Sequence, residues 1–335
     1  MQKLEANQQF SRYIERNYLD WLKGGDDAPV MSHTIFNEKV LPEVADGPVY
    51  LMMIDNLRLD QWKVLQSALS SLFTTKKDEL YMSILPTATQ FARNAFFAGL
   101  MPSEIQKKFP NKWVEDNEDG GKNMYEEDFL EGQLKRRGFQ GKFSYHKITN
   151  LNAGRKLVDS FSNLSQNALN VIVYNFVDML SHARTDMEVI RELAETDSAY
   201  RSLTASWFDH SPLYDMFRKI AETGGKVIVT TDHGTINVTE PSKIVGDRNT
   251  NTNLRYKQGK NLSYEKRDVF EVRNPDDAFL PRLNVSTTYV FAKDYKYFVY
   301  PNNYNHFVNF YKGTFQHGGI SLEEMIIPFA VLSPR

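Results

Sequence analysis

Short, unbroken apolar runs separated by longer stretches of mixed composition are the feature that most constrains the fold of this chain. Runs of this length without polar alternation are typical of strands buried on both faces, as in a parallel sheet. Five runs stand out, at 49–54, 80–85, 171–174, 227–229 and 325–332. The sequence therefore predicts an α/β fold with a mostly parallel central sheet flanked by helices.

The segment before the first run follows a helical pattern instead. Apolar residues recur at helical spacing over 1–23, and a second helix is expected within 32–44. We expect 1–46 to be a helical arm that serves as a linker or a dimerisation segment. The remainder, 47–335, is expected to form one domain, with an inserted cap at about 236–315.

Composition limits the chemistry. Of the 335 residues 24% are charged, the net charge is −2, and there is no cysteine. The chain as a whole is therefore not a basic nucleic-acid binder, and any metal must be held by histidine and carboxylate side chains. The N-terminus is polar, and no apolar run approaches the ~20 residues that cross a bilayer. These features predict a cytoplasmic protein.

Acidic residues and histidines follow three of the apolar runs. Asp55 comes directly after the first run. Asp178 follows the third run, with His182 four residues later. Asp232 and His233 follow the fourth. Because the carboxyl ends of parallel strands meet at one edge of a sheet, these side chains are expected to converge there. Carboxylate and imidazole are good zinc ligands, so a site with two divalent metals about 4 Å apart is predicted.

A site of this kind also needs a further ligand and a nucleophile. His317 precedes the last run and offers the ligand. Thr89 follows a predicted strand and a proline, and it opens a helix expected over 90–98 and closed by Gly99. A hydroxyl at a helix N-terminus is well placed to attack a phosphoryl group. Thr87 is the alternative hydroxyl, unless it caps the helix.

The chain resembles the PglZ domain of the alkaline phosphatase superfamily, in particular the effector half of the PorX-type response regulators of type IX secretion. The resemblance runs from about Val49 to the C-terminus. It rests on five motifs that occur in the same order: IDNLRLDQW, LPTATQFARNAFFAG, FVDMLSHA, VTTDHG and FQHGG.

This resemblance implies two zinc ions and a covalent threonine intermediate. It assigns the ligands to two sets: Asp178, His182 and His317 in one, and Asp55, Asp232 and His233 in the other, with the Thr89 oxygen completing or bridging the second. The Pro-Thr-x-Thr arrangement is similar to the nucleotide pyrophosphatase branch, in which the second threonine attacks. That similarity favours diester substrates such as cyclic or linear oligonucleotides.

The resemblance also implies a regulatory context. It leads us to expect an upstream receiver domain, absent from this sequence, whose phosphorylation controls homodimer formation. A sigma factor or another secretion regulator is the expected partner.

Two groups of residues are candidates for contacting the substrate phosphate. Arg93 and Asn94 follow Thr89 on the predicted helix, although Arg93 has the alternative of pairing with an acidic residue on the helix surface. The segment 248–267 carries six basic residues and one acidic residue. It is either a mobile polar loop or a lid whose Arg255 and Lys257 bind phosphate.

The predicted activity is metal-assisted phosphoester hydrolysis. Two other functions remain compatible with the same residues. One is a monoester phosphatase or phosphomutase on the same fold. The other is a signalling effector that keeps the metals but binds a nucleotide or a sigma factor with little turnover.

Overall fold

The structure is a computed structural model, and it describes residues 2–114, 121, 123–177, 180, 192–194, 196–247 and 250–335. The chain forms two compact units, each built from three separate stretches. Unit 1 comprises Met1–Thr34, Met82–Gln133 and Thr235–Met325. Unit 2 comprises Ile35–Tyr81, Leu134–Gly234 and Ile326–Arg335.

Helices and strands alternate over much of the described part of the chain. The α-helices are α1 (Gln2–Leu22), α2 (Leu59–Leu69), α3 (Thr89–Ala98), α4 (Pro102–Lys108), α5 (Glu126–Arg136), α6 (Leu151–Asp159), α7 (Asp197–Asp209), α8 (Pro212–Thr223), α9 (Tyr304–Tyr311) and α10 (Leu322–Met325). The strands are β1 (Val49–Ile54), β2 (Phe73–Met82), β3 (Phe143–Ile148), β4 (Leu169–Tyr174), β5 (Lys226–Thr230), β6 (Ile236–Asn237), β7 (Glu240–Val245), β8 (Tyr256–Gly259), β9 (Ser263–Tyr264), β10 (Val269–Val272), β11 (Thr288–Ala292), β12 (Lys296–Val299), β13 (Phe315–Gln316) and β14 (Ile326–Pro334).

A six-stranded sheet is the centre of unit 2, in the order β2-β14-β5-β1-β4-β3. Strands β5, β1, β4 and β3 are parallel, and β14 runs antiparallel to β5. All six residues of β1 and of β4 are buried, as their continuous apolar runs predict. The predicted α/β class with a mostly parallel sheet flanked by helices is thus confirmed.

The two outer strands of this sheet differ from the sequence prediction. Strand β2 begins at Phe73, well before the apolar run at 80–85, and its residues 74–78 are exposed. Strand β3 was not predicted, and most of its residues are only half-buried. A strand at the edge of a sheet has one neighbour and one covered face at most, so it lacks a continuous apolar run.

Helix α1 has the predicted apolar face, which includes Ile14 and Tyr18. It packs within unit 1, however, where Ser11 Oγ donates to Asp294 Oδ1 at 2.7 Å and Leu85 N donates to the Tyr18 hydroxyl at 2.7 Å. These contacts make α1 part of unit 1, and the linker or dimerisation role expected of 1–46 stays a prediction. The predicted second helix is a π-helical turn, Phe36–Val40, followed by a 3-10 helix, Leu41–Asp46, in unit 2.

The stretch 235–325 of unit 1, which contains the predicted cap, folds into small sheets. Two have three strands, in the orders β10-β11-β8 and β12-β7-β9, and β13 pairs with β6. Among the described residues, no helix has both the length and the apolar composition that crossing a membrane requires.

Candidate metal centre

Asp55 lies at the carboxyl end of β1, between two parallel neighbours. Ile54 is paired with Tyr174 of β4, and Met53 with Thr230 of β5. The Asp55 backbone N–H continues this ladder by donating to Tyr174 O at 2.9 Å. Its side chain is buried. The backbone of the sheet therefore fixes the position of this carboxylate.

Asp232 follows β5 and is held by backbone donors. Its Oδ1 accepts hydrogen bonds from the N–H of His233 at 3.0 Å and from that of Asn56 at 3.3 Å. Asn56 has a φ of 62°, a left-handed conformation that asparagine tolerates better than most residues, and it turns the chain sharply after Asp55. These bonds orient the Asp232 carboxylate in a fully buried position.

The imidazole of His233 is held in one orientation by a backbone carbonyl. Its Nδ1 lies 3.0 Å from Gly234 O. A carbonyl oxygen only accepts, so Nδ1 donates, and in the neutral ring Nε2 then carries the lone pair. Nε2 lies 3.6 Å from Asp232 Oδ2. A backbone carbonyl that fixes the tautomer in this way is typical of metal-binding histidines.

Asp55, Asp232 and His233 each offer one ligand atom, and these atoms lie within 4.8 Å of one another. All three side chains are buried. Burying two carboxylates together is costly unless a positive charge compensates them. Oxygen and nitrogen donors at this spacing fit a divalent cation such as zinc. Three of the five side chains expected to converge thus lie together, and their role as metal ligands stays a prediction.

Unit 1 contains a second group of predicted residues around Thr87. The Thr87 hydroxyl donates to Gly319 O at 2.9 Å and accepts from Gly318 N at 3.0 Å. The side chain is fully buried, and the N-cap of α3 is Ala88. Thr87 therefore ties two segments of unit 1 together and does not cap the helix. Because the Thr87 hydroxyl is engaged in these two hydrogen bonds, Thr89 is favoured over Thr87 as the nucleophile.

His317 is positioned by the same segment. Its Nδ1 lies 3.1 Å from Thr87 O, so Nδ1 donates and the neutral ring keeps a lone pair on Nε2. Gly318 has a φ of 123°, and a Cβ there would lie 2.6 Å from Tyr256 Cδ1. Only glycine fits this position next to the histidine. With Nδ1 engaged by the backbone, Nε2 of His317 is the nitrogen that could bind a zinc ion.

Thr89 is the first residue of α3, and Gly99 ends that helix in a left-handed conformation with a φ of 58°. Both ends of the helix therefore agree with the prediction. The N–H groups of a first helical turn and the positive end of the helix dipole favour a bound anion. The role of Thr89 as nucleophile stays a prediction.

The two candidates for phosphate contact on α3 are buried. Arg93 Nε donates to Glu126 Oε1 at 2.5 Å, and each of these side chains is 1% exposed. Asn94 is 2% exposed. Of the two roles considered for Arg93, the observed geometry favours pairing with an acidic residue, although that residue lies inside unit 1 and not on a helix surface.

Arg255 and Lys257 require a correction. The Arg255 guanidinium is fully buried, with Nη2 2.6 Å from Glu324 Oε2 and Nε 3.1 Å from Oε1. Lys257 Nζ donates to Asn251 O at 2.8 Å and lies 4.6 Å from the centre of the Tyr300 ring. We therefore assign both side chains a structural role in unit 1, in place of the phosphate contact expected of a lid.

Asp178 and His182 lie outside the described residues, so the second predicted ligand set stays a prediction. The structure also adds residues that the sequence analysis missed. Asn56 orients Asp232, and the Thr231 hydroxyl accepts from Leu57 N at 3.1 Å beside the cluster. The Asp-Asn pair directly after an apolar run was the available signal for a sharp turn.

The mostly parallel sheet, with buried carboxylate and imidazole side chains at the ends of its strands, agrees with an alkaline-phosphatase-like fold. The chain belongs to the PglZ family: residues 35–332 match the BREX system PglZ alkaline phosphatase-like domain. No curated protein sequence matches it.

Several solved structures are similar to this chain at low sequence identity. Murine ectonucleotide pyrophosphatase/phosphodiesterase 5 has a TM-score of 0.55 and 12% identity, over 84% of this chain and 87% of that one. The human protein has a TM-score of 0.53 and 11% identity, with the same coverage. Phosphonoacetate hydrolase from Sinorhizobium meliloti 1021 has a TM-score of 0.49 and 12% identity, over 85% and 89%. The first two comparisons support the alkaline-phosphatase-like fold.

Proposed function

We propose that this protein is a metal-dependent phosphoester hydrolase, specifically a two-zinc phosphodiesterase that acts on nucleotides or oligonucleotides. The observation that supports it most directly is the buried cluster of Asp55, Asp232 and His233 in a chain of the PglZ family. Buried carboxylates gathered with an imidazole are characteristic of metal sites.

The two zinc ions are assigned by combining this cluster with the sequence resemblance. One ion is held by Asp55, Asp232 and His233. The resemblance assigns the other to Asp178, His182 and His317. A bound zinc pair supplies polarisation of the phosphoryl group and lowers the pKa of an attacking hydroxyl or water.

Thr89 performs the covalent step in this proposal. Its oxygen attacks phosphorus, the bond from phosphorus to the leaving group breaks, and the leaving oxygen takes up the proton that the threonine gives up. A water molecule then attacks the phosphorus of the nucleotidyl-threonine, the bond from phosphorus to the threonine oxygen breaks, and a proton from the water restores the threonine hydroxyl as the nucleoside monophosphate is released. The N–H groups in the first turn of α3 stabilise the charge on the phosphoryl oxygens.

Two features favour diesters over monoesters. The Pro-Thr-x-Thr motif is similar to the nucleotide pyrophosphatase branch. The solved structures with TM-scores above 0.5 are of proteins named as pyrophosphatase/phosphodiesterase.

On the sequence resemblance we also propose that the domain is a cytoplasmic output module of a type IX secretion response regulator, active as a homodimer and bound by a sigma factor. Co-purification of a sigma factor with the phosphorylated full-length regulator tests that context.

The test of the enzymatic proposal is hydrolysis of bis(p-nitrophenyl) phosphate by zinc-reconstituted protein. Thr89→Ala is expected to lower kcat by at least about 10³-fold while it retains the zinc content of the wild type. His233→Ala is expected to lose zinc. His210→Ala is its matched control, because that imidazole is exposed and its Nδ1 lies 2.9 Å from Ser206 O in its own helical turn.

Turnover by a fully metallated Thr89→Ala variant would refute the covalent mechanism. Fully metallated wild type that hydrolyses neither this diester nor an oligonucleotide would refute the hydrolase and favour an effector that only binds. Faster turnover of p-nitrophenyl phosphate than of the diester would favour a monoester phosphatase.

A further inference from the structure

The hydroxyl of Thr231 joins the two turns that carry the buried metal cluster in unit 2. Strands β1 and β5 are parallel neighbours, and Thr231 directly follows the last residue of β5. Its Oγ1 accepts a hydrogen bond from Leu57 N at 3.1 Å. Beside this bond, Asn56 N donates to Asp232 Oδ1 at 3.3 Å. The turn after β1 and the turn after β5 are therefore linked by two hydrogen bonds, and one of them depends on the Thr231 side chain.

The same hydroxyl lies beside two acceptors in its own turn. Oγ1 is 3.2 Å from Asp232 Oδ1 and 3.0 Å from His233 O. A hydroxyl has one proton to donate and lone pairs that accept, so Thr231 accepts from Leu57 N while it donates to the turn that follows β5. The carbonyl oxygen of Thr231 in addition accepts from the buried Tyr81 hydroxyl on β2. Thr231 is itself fully buried, and buried groups that lose their partners are costly.

These contacts determine which oxygen of Asp232 faces the other ligand atoms. Oδ1 lies within hydrogen-bond distance of three donors, the N–H of His233 at 3.0 Å, the N–H of Asn56 at 3.3 Å and the Thr231 hydroxyl at 3.2 Å. Oδ2 instead lies 3.6 Å from His233 Nε2, the nitrogen that keeps the lone pair. Hydrogen bonds to the far side of a ligating carboxylate orient it toward the metal.

We propose that Thr231 is a positioning residue for the metal cluster, and that its hydroxyl holds the Asp232 carboxylate so that Oδ2 is the oxygen that binds the ion. The inference rests on the proposed metal-dependent function, and it adds a residue that itself binds neither metal nor substrate. Removing the hydroxyl takes one donor from Oδ1 and takes from Leu57 N its acceptor across the two turns. Hydrogen-bond partners behind metal ligands typically contribute a factor of about 10–100 to metal affinity.

Zinc affinity, measured by competition with a chromophoric chelator, tests this inference independently of turnover. Thr231→Val keeps the shape of the side chain but loses the hydroxyl, and it is expected to weaken the binding of one zinc ion about 10–100-fold. Thr231→Ser keeps the hydroxyl and is expected to retain most of the wild-type affinity. Thr230→Val is the matched control, because the Thr230 hydroxyl is also buried but lies 2.8 Å from Pro328 O of β14. That variant is expected to lose stability and to keep the zinc affinity of the wild type.

A double variant shows whether Thr231 acts through this cluster. His233→Ala removes a ligand of the same ion, so adding Thr231→Val to it is expected to cause no further loss of zinc affinity. A further loss in the double variant would overturn the inference, as would wild-type affinity in Thr231→Val or an equal loss in Thr231→Val and Thr230→Val.

The zinc measurements also separate this inference from the proposed reaction. If the wild type hydrolyses no diester but the variants show the expected zinc affinities, the hydrolase proposal fails and the positioning role of Thr231 is supported. A wild type that binds no zinc would overturn both.

Discussion

The two threonines of the Pro-Thr-x-Thr motif are expected to respond in opposite ways to the same substitution. In Thr87→Val the side chain keeps its shape but loses the hydroxyl that accepts from Gly318 N and donates to Gly319 O. Both partners are buried and would lose a hydrogen bond. Each group left unsatisfied costs about 1–3 kcal/mol, so the free energy of unfolding should fall by about 2–4 kcal/mol after partial relaxation.

Thr89→Val should behave differently because Thr89 is only half-buried and begins α3. Its unfolding free energy is expected to change by less than about 1 kcal/mol, whereas turnover should fall by at least about 10³-fold. Urea denaturation followed by circular dichroism gives the first quantity, and diester hydrolysis gives the second.

The comparison refutes the assignment if the pattern is reversed. A Thr87→Val variant with wild-type stability but no turnover would make Thr87 the nucleophile. The same variant with full stability and full activity would show that the hydrogen bonds to Gly318 and Gly319 contribute little.

Three other predictions concern stability. Arg255→Ala should lower the unfolding free energy by about 3–5 kcal/mol, because it leaves the buried Glu324 carboxylate without its cationic partner. KM for the diester should not rise in this variant. Arg267→Ala is the control: that side chain is 85% exposed, and no measurable loss of stability is expected. Burial acts to raise the pKa of Asp60, but Arg58 and Arg201 outweigh it and lower that pKa. The stability that Asp60 contributes is therefore fully present above its unfolded pKa of about 3.9 and is lost as the pH falls through the lower folded pKa. In Asp60→Asn the free energy of unfolding should consequently fall less steeply with decreasing pH than in wild type. Zinc should raise the melting temperature and dipicolinate should reverse the rise; a melting temperature indifferent to both would contradict the metal site.

The centre of the fold could be predicted because its signal is local. Strands β1, β4 and β5 are covered on both faces, and their apolar runs end where the sheet ends. The residue after such a run lies at the sheet edge whatever the rest of the chain does. Asp55 and Asp232 could therefore be placed together from sequence alone.

The partners of polar side chains could not be predicted in the same way. Glu324 is 69 positions from Arg255 along the chain, and Gly319 is 232 positions from Thr87. A cluster of basic residues in the sequence indicates a charged segment, but its charges can point inward. The sequence likewise contains no sign that Trp207 meets Phe176, because that contact depends on how α7 packs beside the end of β4.

The order of the strands in the central sheet has a consequence for synthesis of the protein. Strand β14 lies between β2 and β5, although it follows both in the chain. After β5 has been synthesised, roughly a hundred further residues, or ~5–20 s of translation at ordinary rates, are needed before β14 leaves the ribosome. Only then can β14 pair with β2 on one side and β5 on the other. During that interval β2 and β5 present unpaired backbone edges of the kind that aggregate. Until residues 326–334 have been synthesised, β2 therefore has no partner in the central sheet, and its pairing is one of the last steps in the assembly of that sheet.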